Sequence, residues 1–139
     1  MIPTVAVLII KDDEVLLVKH REKAKHLTGS YGLPSGRIKK GETEKSAATR
    51  ELLEETGVRT TEGNLIEFQG NFYIADLPRK GNRTERFAWK VFYCNAWVGE
   101  LKKLEETIPE WVEIDKMENY NLLPNIKNAT LAGLKFKNT

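Results

Sequence analysis

The apolar and polar positions alternate with two different periods along this chain, and the change of period marks its elements. Thr4 to Ile10 is a β-branched, apolar run, and Glu14 to Lys19 is a second one. Lys11-Asp12-Asp13 between them is turn-like, so the pair reads as a hairpin. The first run is apolar on both faces, which predicts a central strand in a covered sheet. Leu65 to Ala75 reads as a strand with aromatic positions at Phe68, Phe72 and Tyr73. Asp76 to Arg83 carries the Pro, Gly and Asn of an exposed connection. From Arg86 to Val98, Phe87, Trp89, Val91 and Tyr93 alternate with Arg86, Ala88, Lys90 and Phe92, the period of a long strand. These two strands predict a hairpin whose tip is basic (Arg79, Lys80, Arg83). Glu110 to Ile114 is expected to be a last short strand, followed by a single helical turn over Asp115 to Asn119.

Helical spacing appears twice. Pro124 opens a final helix that offers Ile126, Ala129, Leu131, Leu134 and Phe136 for packing. The other helix lies within Gly36 to Val58. Thr43 sits where an N-cap belongs, Glu44 adds negative charge to the first turn, and Gly57 supplies a left-handed stop. Leu52 and Leu53 are expected to point to a core. Glu51, Glu54 and Glu55 fall within an arc of about 100° on the opposite side. Three crowded carboxylates repel one another, so stability alone does not favour them. A solvated surface helix neutralised by Arg50 and Lys45 is one account; a bound divalent cation is the other, and it gives the arrangement a purpose.

Composition adds limits. The 139 residues, 40% hydrophobic and 30% charged, fit one globular domain spanning 1–139. The net charge of +2 is too small to argue for a nucleic-acid polymer or a membrane surface as partner. Cys94 cannot form an internal disulfide, and its apolar neighbours make it a strand-packing residue. Together with the lack of a signal-peptide pattern, this predicts a cytoplasmic protein. His20 to His26 is a basic loop, with both histidines expected at the surface and without a metal role.

The spacing around the acidic helix carries more. Gly36, five residues, Glu42, seven residues, then Arg50-Glu51-Leu52-x-Glu54-Glu55-x-Gly57-Val58 resembles, position by position, the signature of the Nudix hydrolases, the MutT-like family. Tyr31 stands near the aromatic that usually precedes the family's Leu-Pro-Gly-Gly, and Ser35 replaces the first glycine of that pair. The resemblance implies an α/β/α sandwich, an α/β fold with a mixed sheet between helices, in agreement with the order of elements. It implies a Mg²⁺- or Mn²⁺-dependent pyrophosphohydrolase cleaving nucleoside diphosphates linked to another moiety, such as nucleoside triphosphates or ADP-ribose-like compounds. Carboxylates are hard oxygen donors suited to these ions.

On that resemblance Glu51, Glu55, Glu54 and the Gly36 carbonyl are metal ligands. Glu54, Glu51 and Arg50 are catalytic, with Glu54 either a ligand or the base acting through water. Arg50 and Glu42 hold the carboxylates and the loop through ion pairs. Relatives often place the general base outside the signature, and Glu105, Glu106 and Glu110 are the candidates. Tyr31, Arg21 and Trp111 are the substrate-binding candidates, with Lys23 and Lys25 as further phosphate contacts and Phe72, Tyr73, Phe87 and Trp89 as other aromatics for a base. A homodimer is compatible with exposed strand edges. The alternative function is a catalytically silent module that senses a nucleotide or binds a partner.

Overall fold

The computed structural model describes residues 1–21 and 27–139. Its strands are β1 (Ile2–Leu8), β2 (Ile10–Lys11), β3 (Glu14–His20), β4 (Tyr31–Gly32), β5 (Ser35–Arg37), β6 (Leu65–Ile66), β7 (Phe72–Arg79), β8 (Arg83–Cys94) and β9 (Thr107–Glu113). The helices are α1 (Glu44–Thr56) and α2 (Ile126–Lys137). The β layer is divided into two sheets. One runs β5-β1-β8-β6, with β7 also on β8; the other runs β2-β3-β4, with β9 on β3. β1 lies parallel to β8 and antiparallel to β5, so it is central, as its two apolar faces require.

The expected hairpin of the first two apolar runs is only partly formed. Ile10–Lys11 pairs with Glu14–Val15 around a turn in which Asp12 has a φ of 55°. Beyond it the strands diverge, because β1 takes β5 and β8 as partners while β3 takes β4 and β9. Local turn chemistry fixes a hairpin's start; which edges are then satisfied is a long-range choice.

The alternation along the strands sorts side chains between the two helices. Val5, Val7, Ile9, Leu16, Phe92 and Cys94 pack with Ala47, Ala48 and Leu52 of α1. Ala6, Leu8, Ile10, Val15, Leu17, Trp89 and Val91 pack with Ile126 and Ala129 of α2. The helices therefore flank the β layer on opposite faces, giving the α/β/α arrangement. Two helical positions depart from expectation. Leu53 is 41% and Leu131 45% exposed, because each lies just off the buried stripe of its helix. Gly133 lets α2 approach β1: a Cβ there would lie 1.9 Å from Leu8 Cδ2, and Leu8 is fully buried. Gly133→Val is expected to cost about 1–3 kcal/mol as an overpacked core contact, read as a lowered Tm in thermal denaturation.

The middle of the chain corrects the expected loop. Leu65 to Ala75 is broken between β6 and β7, and the segment Asp76–Arg79 is strand, paired against Arg83–Arg86. Pro78 is tolerated because β7 is an edge strand, and Asp76 is held to Arg86 across the pair at 2.9 Å. The tip is shorter than expected, turning at Gly81 (φ 74°) and Asn82 (φ 56°). β8 ends at Cys94 rather than Val98, and β9 begins earlier than expected, at Thr107. The helical turn at Ile114–Asn119 is a 3₁₀ turn. Cys94 is buried, consistent with packing. His20 is also buried, unlike the expected surface residue, since it closes β3 opposite Thr107. Lys23, Lys25 and His26 lie outside the described residues. Among the described residues no helix is long and apolar enough to cross a membrane.

Candidate active site

α1 begins and ends as its sequence dictates. The Thr43 hydroxyl accepts from the Ser46 N–H at 3.1 Å, and the Ser46 hydroxyl accepts from the Thr43 N–H at 3.0 Å, a reciprocal cap. Gly57 terminates the helix with a φ of 84°. Fixed ends set the rotation of the helix. Leu52 and Ala48 enter the core, and the glutamate stripe turns toward β5.

There the Glu55 carboxylate accepts from the Ser35 N–H at 2.7 Å. Glu51 lies against Gly36 so closely that a Cβ on Gly36 would sit 2.1 Å from Glu51 Cδ. Arg50 ties the site together. Its Nε and Nη2 donate to the two Glu42 carboxylate oxygens at 2.7 and 2.9 Å, its Nη1 to Glu51 at 2.6 Å and to Glu54 at 3.2 Å, and its Nη2 also to the Arg37 carbonyl at 3.0 Å. Glu42 accepts as well from the Lys39 N–H at 2.8 Å. The fork of one guanidinium thus joins the helix, the preceding loop and β5, which a lysine could not do.

The electrostatics divide the carboxylates. The Arg50 hydrogen bonds, and then the Lys39 N–H, hold half-buried Glu42 down to about 2. Burial pushes Glu55 up to about 8; the Ser35 N–H opposes this, while the charges of Glu51, Glu106 and Glu54 add to it. Burial also raises Glu51, against the pull of Arg50. Between its ordinary value of 4.5 and about 8, folded Glu55 holds a proton that the unfolded chain has released. Its contribution to stability therefore falls as pH rises through that window. Glu42 acts in a lower window, its contribution being lost as pH falls from 4.5 toward about 2. In the absence of divalent ions, chemical denaturation should show stability declining from about pH 5 to pH 8.5, and Glu55→Gln should flatten that slope.

The donor set suits a hard divalent cation: carboxylates of Glu51, Glu54 and Glu55, the first and last raised by burial, beside the backbone of Gly36. Positive charge there would offset the burial, and the neighbouring carboxylates' repulsion, that keep Glu55 protonated. In their present rotamers no three His, Cys, Asp or Glu groups among the described residues converge on one point. Arg50 Nη1 bridges Glu51 and Glu54 instead, and Glu54 is 51% exposed.

The other candidates are distributed. Tyr31 is in β4 on the α2 face, edge-on to Tyr120 at 4.9 Å, with Lys19 Nζ 6.0 Å from its ring. Trp111 is in β9 on the α1 face, 6.0 Å from Trp97, with Lys11 Nζ 5.7 Å from its ring. Tyr31 and Trp111 are therefore not brought together. Phe87 and Trp89 are buried in the α2-side core, and Phe72 is 56% exposed on β7. Arg21 follows β3 and lines a cavity of about 560 Å³ with Lys19, His20, Thr28, Glu105 and Ile108. Of the three acidic candidates outside the signature, Glu110 accepts from the Tyr120 hydroxyl at 2.9 Å on the α2 face. Glu105 borders the cavity, and Glu106 is the one whose charge bears on Glu55.

Two contacts escape sequence reasoning. The Thr107 hydroxyl donates to the Glu55 carbonyl at 2.9 Å across more than fifty residues, and no local pattern marks it. Ser35 serves the site through its N–H, which any residue but proline provides, so the change from the family's glycine costs the site nothing there.

The chain belongs to the NUDIX domain family, whose model matches residues 1–132. It is 41% identical over 102 residues to an ADP-ribose pyrophosphatase of Methanocaldococcus jannaschii, covering 72% of this chain and 55% of that protein. It is 30% identical over 116 residues to an oxidized purine nucleoside triphosphate hydrolase of Danio rerio, covering 80% of this chain and 65% of that protein. The chain thus spans between about half and two thirds of these two relatives. The fold matches the crystal structure of a MutT protein from Methanosarcina mazei Go1 with a TM-score of 0.76 at 22% identity, over 99% of this chain and 96% of that one.

Proposed function

We propose that this chain is a divalent-metal-dependent pyrophosphohydrolase that cleaves nucleoside diphosphates linked to a further group, by attack of water on phosphorus. The observation that carries the reading is the pair of half-buried carboxylates, Glu51 and Glu55, one helical turn apart, with Glu54 beside them and Gly36 held against Glu51. Crowded, partly desolvated carboxylates are costly, and Arg50 pairs with Glu51 and Glu54 but not with Glu55, so the site is built for a further positive partner.

Glu51, Glu55, Glu54 and the Gly36 carbonyl would hold Mg²⁺ or Mn²⁺, which supplies charge neutralisation on the diphosphate and activation of water. Arg50 fixes Glu51 and Glu54 in orientation, and Glu42 fixes Arg50. The Ser35 N–H aims Glu55. Glu54, the most exposed of the three, would act as a further ligand or take a proton through water. Substrates of the two relatives, an oxidised purine nucleoside triphosphate and ADP-ribose, support nucleoside triphosphates and ADP-ribose-like compounds as the classes to test. The test is release of phosphate or pyrophosphate, with Mg²⁺ and with Mn²⁺, over a panel of both classes. Turnover that requires the metal is expected. Silence across the panel with tight nucleotide binding would instead establish a sensing module.

A further inference from the structure

A helix leaves its last carbonyls without intrahelical partners, so a helix end packed against protein needs donors from elsewhere. At the end of α1 the Thr56 carbonyl accepts from the Lys102 N–H at 2.9 Å, and the Glu55 carbonyl from the Thr107 hydroxyl at 2.9 Å. The first donor is main chain; the second is a side chain, so a single substitution removes it. Thr107 is 2% exposed and fixed in place. It opens β9 opposite His20 of β3, and its carbonyl accepts from the Leu104 N–H at 2.9 Å. The two ends of Glu55 are therefore held from different sheets. Its carboxylate accepts from the Ser35 N–H of β5, which pairs with β1 in the first sheet. Its carbonyl accepts from Thr107 of β9, which pairs with β3 in the second.

We propose that Thr107 is a positioning residue for Glu55: its hydroxyl locks the last turn of α1 to β9 and so sets how the Glu55 carboxylate is presented beside Gly36 to a divalent cation. The inference rests on the hydrolase reading above and extends it to a residue outside the acidic helix, one that acts through the main chain of Glu55. The role needs the hydroxyl and not the size of the side chain. Valine has nearly the shape of threonine, yet it leaves the Glu55 carbonyl without its donor, and an unmade bond of this kind is costly enough to tilt the turn toward another partner. The Ser35 bond would then hold a carboxylate whose main chain has moved. Held geometry matters because a displacement of about 1 Å in a reacting group can cost on the order of 10² in rate.

The experiment compares Thr107→Val, Thr107→Ser and Thr107→Ala with the wild type. Mn²⁺ affinity is read by electron paramagnetic resonance of the free ion, turnover with Mg²⁺ on the best nucleotide of the panel, and Tm in chelator. Loss of a group that orients a metal ligand costs about 10–100-fold in metal affinity or activity. Because Thr107 acts through the main chain, Thr107→Val is expected at the lower end, weakening Mn²⁺ binding and lowering kcat about tenfold each with KM nearly unchanged. Thr107→Ser keeps the hydroxyl and should stay within about twofold of the wild type. Thr107→Ala should match Thr107→Val, so the serine and alanine variants decide the matter where the valine variant fails to fold. In a Glu55→Gln background Thr107→Val should cost less than about twofold more, since the carboxylate it positions is gone. Thr130→Val, which removes a buried hydroxyl from the Ile126 carbonyl in α2, is the control and should leave affinity and kcat unchanged. A lowered Tm in Thr107→Val with wild-type Mn²⁺ affinity and kcat would make the bond purely structural and overturn the proposal. Losses additive with Glu55→Gln, or equal losses in Thr130→Val, would overturn it too. A wild-type protein that binds Mn²⁺ but is silent on the panel overturns the hydrolase reading, and Mn²⁺ affinity then decides the role of Thr107 alone.

Discussion

Glu55→Gln is expected to lower kcat by at least about 10², the scale of losing one preorganised charge-stabilising group, while leaving the fold intact. The two effects separate because the side chain's size and its hydrogen bond to Ser35 survive, and only the charge is removed. At neutral pH the metal-free carboxyl is already largely protonated, its pKa having been pushed to about 8 by burial and by Glu51, Glu106 and Glu54. A neutral amide there does not add a burial cost, and above that pH it removes one. Metal-free stability at pH 8.5 should therefore be equal to or greater than that of the wild type. Steady-state turnover with Mg²⁺, set beside a thermal melt in chelator, measures both. A variant that turns over at the wild-type rate would remove Glu55 from the role given to it.

Gly36→Ala is expected to lose both activity and stability. The new methyl would stand 2.1 Å from Glu51 Cδ and 2.3 and 2.4 Å from its oxygens, so the carboxylate must move. It cannot move freely, since Arg50 Nη1 holds it at 2.6 Å and the same guanidinium is committed to Glu42 and to the Arg37 carbonyl. β5 cannot retreat either, being paired to central β1 with Gly36 opposite Val5. An overpacked contact of this kind costs about 1–3 kcal/mol, and the displaced ligand should cost on the order of 10² in kcat. Gly63→Ala is the control, since nothing lies within 4 Å of its added Cβ. Wild-type activity and Tm in Gly36→Ala would mean that Glu51 does not need its present position.

The site was legible from residues close in sequence. The caps of α1 and the glutamate stripe follow from helix geometry and spacing, the Arg50–Glu42 pairing is implied by the family resemblance, and the structure shows the carboxylates turned toward Gly36. The alternation of Phe87, Trp89, Val91 and Tyr93 correctly marked one buried face of β8, and Cys94 packs as its neighbours suggested. Local reasoning failed where turn residues outvoted pairing. Pro78 lies within β7, because an edge strand needs partners on one side only.

Sequence by itself determined the two helices, the strand periods, the carboxylate stripe and the family signature, because each depends on positions within a few turns or a single strand. Tertiary structure alone decided that β1 leaves β3 for β5 and β8, that Tyr31 and Trp111 face opposite sides, and that Glu110 is engaged by Tyr120 while Thr107 fastens the preceding loop to Glu55. The reason is that strand partners and loop contacts such as Thr107 to Glu55 are chosen by competition among distant edges and faces, and that competition leaves no mark on neighbouring residues.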